Sequence, residues 1–192
     1  MTPALALPER PRRARGRLQL LLILAVVIGP MVLASAMYHL RFWVPDGRSY
    51  HGTLIGNGQQ REDLGVQGAA APERWQLLVT APAGCAADCQ QLVYLARQIN
   101  IGLGREANRA DHALALSGSL DEAFRQTLER DYPRLARYGL DPTTYSKASG
   151  GSVPQLWIVD PHGNLVLRYD GQVPGKRVLD DLRHLLKLSN IG

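Results

Sequence analysis

The sequence predicts an α/β domain that follows a single N-terminal membrane-spanning helix. An apolar run from Leu18 to Leu40 contains no Asp, Glu, Lys or Arg, and it is long enough to cross a hydrocarbon core of about 30 Å as a helix. After Arg74, short apolar runs typical of buried strands alternate with segments of helical periodicity. The prediction therefore divides the chain into a basic segment, an anchor, a linker and one domain, at residues 1–17, 18–40, 41–73 and 74–192.

Charge is concentrated before the apolar run. Residues 1–17 carry five arginines against Glu9, whereas the other 175 residues carry 17 basic and 16 acidic side chains. Because basic residues favour the cytoplasmic side of a membrane, the chain is predicted to lie N-in, in the inner (cytoplasmic) membrane, with its C-terminal domain in the periplasm. The nearly neutral domain argues against nucleic acid as a partner.

A cleaved signal peptide is the alternative to a retained anchor. Ala34-Ser35-Ala36 fits the small-residue pattern of a cleavage site, although the apolar run continues beyond it. Both alternatives place the domain in an oxidising compartment, where a cysteine pair can form a disulfide.

The elements of the domain are predicted in order from their periodicity. RWQLLVT predicts a buried strand, and the segment with Leu92, Val93, Ala96 and Ile99 predicts a helix that ends near Gly102. HALALS, residues 112–117, predicts a second strand. The capping box from Ser119 to Glu122 predicts a helix that continues through Leu135 to about Gly139.

The rest of the domain is predicted as a loop, a hairpin and a helix. DPTTYSKASGGS reads as a polar loop, VPQLWIVD and LVLRYD as two strands joined by PHGN, and PGKRVLDDLRHLLKL as an amphipathic helix. The linker is predicted to contain at most one short hairpin, around His51 to Val66. The order βαβαββα is that of the thioredoxin fold, which is the predicted fold class.

The chain has two cysteines, Cys85 and Cys89, in the stretch APAGCAADCQQL. The prediction places Cys85 just beyond the first strand and Cys89 in the first turn of the next helix, where free N–H groups and the helix dipole stabilise a thiolate. Spacing of i and i+4 also permits a disulfide. The pair is therefore a redox centre, a soft metal site or a structural disulfide. VPQLWIV resembles the start of the third strand in thioredoxin-like proteins, and this resemblance implies a cis peptide bond before Pro154, against the cysteine site.

Several of these features together resemble the Sco/SenC family. They are the N-terminal anchor, the CxxxC pair after the first strand, and WIVDPHGNLVLRYDG before the last helix. The resemblance implies a copper protein that assists assembly of the CuA centre of cytochrome c oxidase, with an oxidase subunit or other assembly factors as partners. It also implies that Cys85 and Cys89 bind Cu(I) through two thiolates, together with a distal histidine.

The sequence departs from that family at three positions. Ala86 and Gln90 follow the cysteines where the family usually has proline, and Ser152 stands where the family register places the copper-ligand histidine. By topology, His112 and His162 lie at the opposite end of the sheet, and His184 lies on the last helix. Only His51, in the linker, could fold over the cysteines.

Three functions follow from these observations, of which two use the chemistry of the cysteines and one does not. The first is thiol-disulfide exchange in oxidase assembly, in which Cys85 attacks, Cys89 resolves and Pro154 flanks the site. The second is transient Cu(I) carriage by the two thiolates. The alternative is an assembly scaffold in which the cysteine pair is only a structural disulfide.

Overall fold

The structure is a computed structural model, and it describes residues 12–40, 50–68 and 72–189. A single helix, α1 (Arg12–Leu40), forms the N-terminal part. Its stretch from Gly16 to Met37 has a mean hydropathy of 2.6 and is long and apolar enough to cross a membrane. Pro30 lies inside the helix. The predicted apolar helix is confirmed, while most of the basic segment lies outside the residues whose side chains are described.

The residues from Arg48 onward form a second compact unit built on one seven-stranded sheet. The strands are β1 (Thr53–Leu54), β2 (Val66–Gln67), β3 (Trp75–Ala81), β4 (Ala110–Leu116), β5 (Ala136–Leu140), β6 (Gln155–Val159) and β7 (Leu165–Asp170). The helices are α2 (Ala87–Gly102), α3 (Glu122–Asp131), α4 (Pro142–Ser149) and α5 (Gly175–Leu188), with 3₁₀ turns at Arg61–Leu64 and Gly104–Arg109.

The strand order across the sheet is β1-β7-β6-β3-β4-β5-β2. β3 is parallel to β4 and antiparallel to β6, and all seven of its residues are buried. A strand covered on both faces needs a continuous apolar run, which is why RWQLLVT predicted it correctly. The predicted α/β, thioredoxin-like fold class is confirmed.

Each face of the sheet packs against its own core. One core contains apolar residues of α2 and α5 against β3 side chains such as Leu77 and Val79. The other lies under α4 and contains Leu78, Tyr145 and Trp157. Since alternate residues of a strand point to opposite faces, β3 supplies both cores.

The second half of the domain differs from the prediction. The predicted helix to Gly139 ends at Asp131, because Pro133 follows and cannot continue it, and β5 pairs in parallel with β4. Asp121, not Ser119, caps α3, since its carboxylate accepts from the backbone N–H groups of Ala123 and Phe124. The predicted polar loop contains α4.

The described part of the predicted linker contributes two strands to the sheet. β1 pairs with β7, and β2 pairs with β5, so the two strands lie at opposite edges. They do not pair with each other, and the predicted hairpin from His51 to Val66 is wrong. Each strand is only two residues long and has little apolar periodicity to reveal it.

Candidate functional site

The two cysteines form a disulfide at the junction between β3 and α2. Cys85 lies in the loop after β3 and is partly exposed, whereas Cys89 lies in the first turn of α2 and is fully buried. Their Cα atoms are 5.0 Å apart, inside the usual disulfide range. Of the two cysteines, Cys85 is therefore the one that a second protein can approach.

The N-terminus of α2 faces this pair without a side-chain cap. Ala86 occupies the N-cap and has no side-chain acceptor, and the first helical bond runs from Gln90 N to Ala86 O. The N–H groups of the first turn, including that of Cys89, therefore have no helical partner and favour negative charge nearby. Asp88 in the same turn opposes this effect. The site is suited to a sulfur that ionises when the disulfide is reduced.

The closed loop is too short for the disulfide to contribute strongly to stability. Only three residues separate the cysteines, and chain entropy for a loop of this size gives roughly 2 kcal/mol, at the low end of the usual range. Reduction of the pair is therefore compatible with a folded domain, as a reactive pair requires.

The surface around Cys85 includes small apolar side chains. Ala83, Ala86 and Ala87 are exposed on the loop and on the first turn of α2. Val153 and Pro154 precede β6, which begins at the same end of the sheet because it runs antiparallel to β3. The peptide bond before Pro154 is trans, since the described residues contain no cis peptide bond. The prediction of a cis proline is wrong.

A network of buried hydrogen bonds links β3, β6 and α4 near the end of the sheet that carries the cysteines. Trp157 Nε1 donates to Thr80 Oγ1 at 3.1 Å, and Thr80 Oγ1 donates to the Tyr145 hydroxyl at 2.8 Å. Tyr145 in turn donates to Gln155 Oε1 at 3.0 Å. Burial raises the pKa of Tyr145, so its phenol remains a neutral donor. The network ties α4 to β3 and β6, and sequence patterns did not reveal it.

The described histidines form no three-residue metal site with the cysteines. His112 lies near the start of β4 and His162 in the turn after β6, both at the other end of the sheet. His184 is exposed on α5, and Ser152 is an exposed residue of the loop before β6. The described residues contain no group of three His, Cys, Asp or Glu side chains that could hold a metal ion.

His51 is held by a buried carboxylate on α5. Asp181 is 2% exposed, and its Oδ1 lies 2.8 Å from His51 Nδ1. Its Oδ2 accepts from the backbone N–H groups of His51 and Gly52 and from the Tyr169 hydroxyl at 2.7 Å. This carboxylate joins the start of the domain to its last helix, and nothing in the sequence distinguished Asp181 from the adjacent Asp180 in the amphipathic pattern of α5.

The buried His112 predicts a pH dependence of stability. Burial lowers its pKa from the ordinary 6.5, Arg97 and Arg134 lower it further, and Asp111 partly offsets this. Below pH 6.5 the unfolded chain therefore binds more protons than the folded chain, and stability falls as the pH falls. We expect His112→Gln to flatten this acid-side slope in urea-unfolding midpoints. His162→Gln, in an exposed turn, serves as the control, and an unchanged slope in His112→Gln would contradict the assignment.

Comparison with solved structures finds copper-bound proteins and thiol-disulfide proteins. Arabidopsis thaliana ScoI with copper bound is 8% identical, over 62% of this chain and 88% of that chain, with a TM-score of 0.49. Yeast Sco1 with copper bound is 11% identical, over 62% and 82%, with a TM-score of 0.49. A thiol:disulfide interchange protein from Bacteroides sp. is 13% identical, over 71% and 90%, with a TM-score of 0.44.

Sequence-family models match both parts of the chain. Residues 11–41 match the family described as transmembrane-like, N-terminal domain. Residues 75–189, more than half of the chain, match the family described as transmembrane-like, thioredoxin-like, C-terminal domain. Comparison with curated proteins finds no match. The chain therefore belongs to the family of transmembrane-like proteins with a thioredoxin-like C-terminal domain.

Proposed function

We propose that this protein is a membrane-anchored thiol-disulfide exchange protein that acts through Cys85 and Cys89. The observation that carries the proposal is the unequal exposure of the two bridged cysteines at an uncapped helix N-terminus. A partly exposed Cys85 can meet a second protein, while a buried Cys89 can react only within the chain. Such an arrangement supports an attacking and a resolving cysteine.

The exchange step moves two electrons from the reduced pair to a partner disulfide. The Cys85 thiolate attacks one partner sulfur, the partner S–S bond breaks, and a partner thiolate leaves. The Cys89 thiolate then attacks Cys85 Sγ, which closes the Cys85–Cys89 bond and releases the second partner thiolate. A reduced dithiol protein, by the reverse sequence, restores the starting thiols.

We place the reaction in the periplasm, at the surface of the inner membrane. The arginines before the apolar run that starts at Leu18 support an N-in orientation, which puts the cysteines on the outer side. The partner proposed on the sequence resemblance to Sco/SenC proteins is a cytochrome c oxidase subunit, whose CuA cysteines must be reduced before they bind copper. The apolar surface formed by Ala83, Ala86 and Ala87 supports contact with a partner polypeptide.

The test uses the full chain in detergent micelles and a peptide that carries a CxxxC disulfide. We expect the reduced wild type to reduce the peptide, Cys89→Ser to stop as a mixed disulfide at Cys85, and Cys85→Ser to form no such adduct. Equal, slow reaction of the wild type and the double serine variant would contradict the proposal. A reduction potential well below about −300 mV would also contradict it and would indicate a structural disulfide.

Cu(I) carriage is a separate role of the same pair and has its own measurement. Two thiolates suit Cu(I), and solved structures of Sco proteins in the comparison contain copper. Copper stoichiometry is measured on the reduced chain, with the double serine variant as control. More Cu(I) retained by the wild type than by the control supports carriage. Equal copper in both proteins would contradict carriage without affecting the exchange proposal.

A further inference from the structure

A pocket lies at the end of the sheet opposite the cysteines. It occupies about 760 Å³ where β3, β4 and β5 begin, and its lining is mostly polar. That volume lies in the range of pockets that enclose small organic molecules. Its wall includes His112, Arg134 and Tyr138. None of these residues has a role in the exchange chemistry proposed for the cysteines.

His112 places an unsatisfied nitrogen in the wall of this pocket. The side chain is 5% exposed, and its Nε2 has no hydrogen-bond partner in the described structure. Buried polar atoms are nearly always paired, so an exception beside a pocket indicates a group that is supplied from outside the chain. Burial also lowers the pKa of His112, which keeps the ring neutral and leaves one ring nitrogen as a donor.

Two further donors in the same wall are uncommitted among the described residues. The Tyr138 hydroxyl accepts from Gln76 Nε2 at 3.2 Å, and its own proton has no described acceptor. Arg134 lies close enough to His112 to affect its titration, but it forms no ion pair with any described residue. Both groups can therefore donate to a ligand in the pocket.

The carboxylates of the pocket do not supply that acceptor. Asp111 lies 3.7 Å from Arg74, which neutralises it, and Glu73 is exposed at the rim. Formal charges of the lining side chains therefore cancel, and Arg134 is a lining cation with no ion-pair partner among the described residues. A ligand with one oxyanion group can pair with it, because a carboxylate or phosphate oxygen accepts several donors at once.

We propose that this pocket binds a small molecule through a carboxylate or phosphate group, which accepts from Arg134, from the Tyr138 hydroxyl and from His112 in the tautomer that carries its proton on Nε2. The site is independent of the cysteines, so an effector or substrate can occupy it in either redox state of the pair. Failure of this proposal leaves the exchange proposal untouched.

The test uses the full chain in detergent micelles with ¹⁵N-labelled histidine. Sodium succinate and inorganic phosphate are titrated separately, with ionic strength held constant by sodium chloride. We expect a saturable shift of the His112 ring signals and no shift at His162. Saturation by succinate identifies a carboxylate site, and saturation by phosphate a phosphate site.

Arg134→Gln is expected to weaken this binding roughly 10-fold or more, because a hydrogen bond to a charged group is lost. The matched control is Arg137→Gln, since Arg137 lies 4.0 Å from Glu129 and does not line the pocket. His112→Gln removes the ring signals that the titration follows, so its binding of succinate or phosphate is measured by calorimetry. We expect this binding to be weaker than in the wild type. Absence of a saturable shift with both probes, or equal affinity in wild type and Arg134→Gln, would overturn the proposal.

Discussion

Asp181→Ala is expected to destabilise the domain by about 3 kcal/mol or more. The substitution removes the acceptor of the Tyr169 hydroxyl and of two backbone N–H groups in a buried position, and each buried donor left unpaired costs about 1–3 kcal/mol. Burial and the Asp181 carboxylate raise the pKa of Tyr169, so its hydroxyl stays protonated and remains a donor that needs an acceptor.

The measurement is urea unfolding of the full chain in micelles, followed by near-ultraviolet circular dichroism. Asp180→Ala is the matched control, because it removes the same side chain at the neighbouring, exposed position of α5. We expect a change within about 0.5 kcal/mol for the control. A loss below about 1 kcal/mol in Asp181→Ala would show that water replaces the carboxylate and that the start of the domain is only loosely fastened.

Trp157→Ala is expected to cost about 3–5 kcal/mol, the usual range for a buried aromatic residue replaced by alanine. Trp157 is 2% exposed, packs in the core under α4 and donates to Thr80. The substitution removes both the packing and the donor to Thr80. Arg168, whose guanidinium lies 5.9 Å from the ring centroid, also loses its contact.

Trp157→Phe separates these contributions. It retains most of the apolar volume but removes the indole N–H, so we expect a loss of about 1–2 kcal/mol, near the value of one buried hydrogen bond. Both variants are measured by urea unfolding as above. Equal losses in the two variants would contradict the dominant role of packing.

Most of the central sheet was predictable because its strands are apolar on both faces, as in β3, or alternate between buried and partly buried residues, as in β7. β3, β4, β6, β7, α2 and α5 were each predicted from apolar periodicity, and the structure contains them. The position of the cysteines followed from the same pattern, since Cys85 comes directly after a strand and Cys89 opens a helix. Sequence periodicity is most informative for such long, buried elements.

The end of α3 and the start of α4 were missed although the sequence contains a local signal for each. Leu128 and Leu135 are seven residues apart, which fits two helical turns, and the prediction ran through Pro133 despite its missing N–H. Asp141 before Pro142 is a standard helix start, and the structure shows that Asp141 accepts from Thr143 and Thr144.

The rest depends on contacts between distant parts of the chain. The hydrogen bonds from His51 to Asp181 and from Trp157 to Thr80 join residues far apart in sequence. The pocket beside His112 likewise arises where three strands begin. Neither residue spacing nor composition predicts such long-range contacts, so only the structure reveals them.

The placement of β1 and β2 at the two edges of the sheet imposes an order on biogenesis. The chain leaves the ribosome N-terminus first, so the stretch next to the membrane helix is synthesised before any strand it will join. Thr53 must await Arg168, and His51 must await Asp181, near the end of synthesis. The first part of the domain to be synthesised is therefore among the last to reach its native contacts, and until then its strand-forming residues are open to pairing with other extended chains.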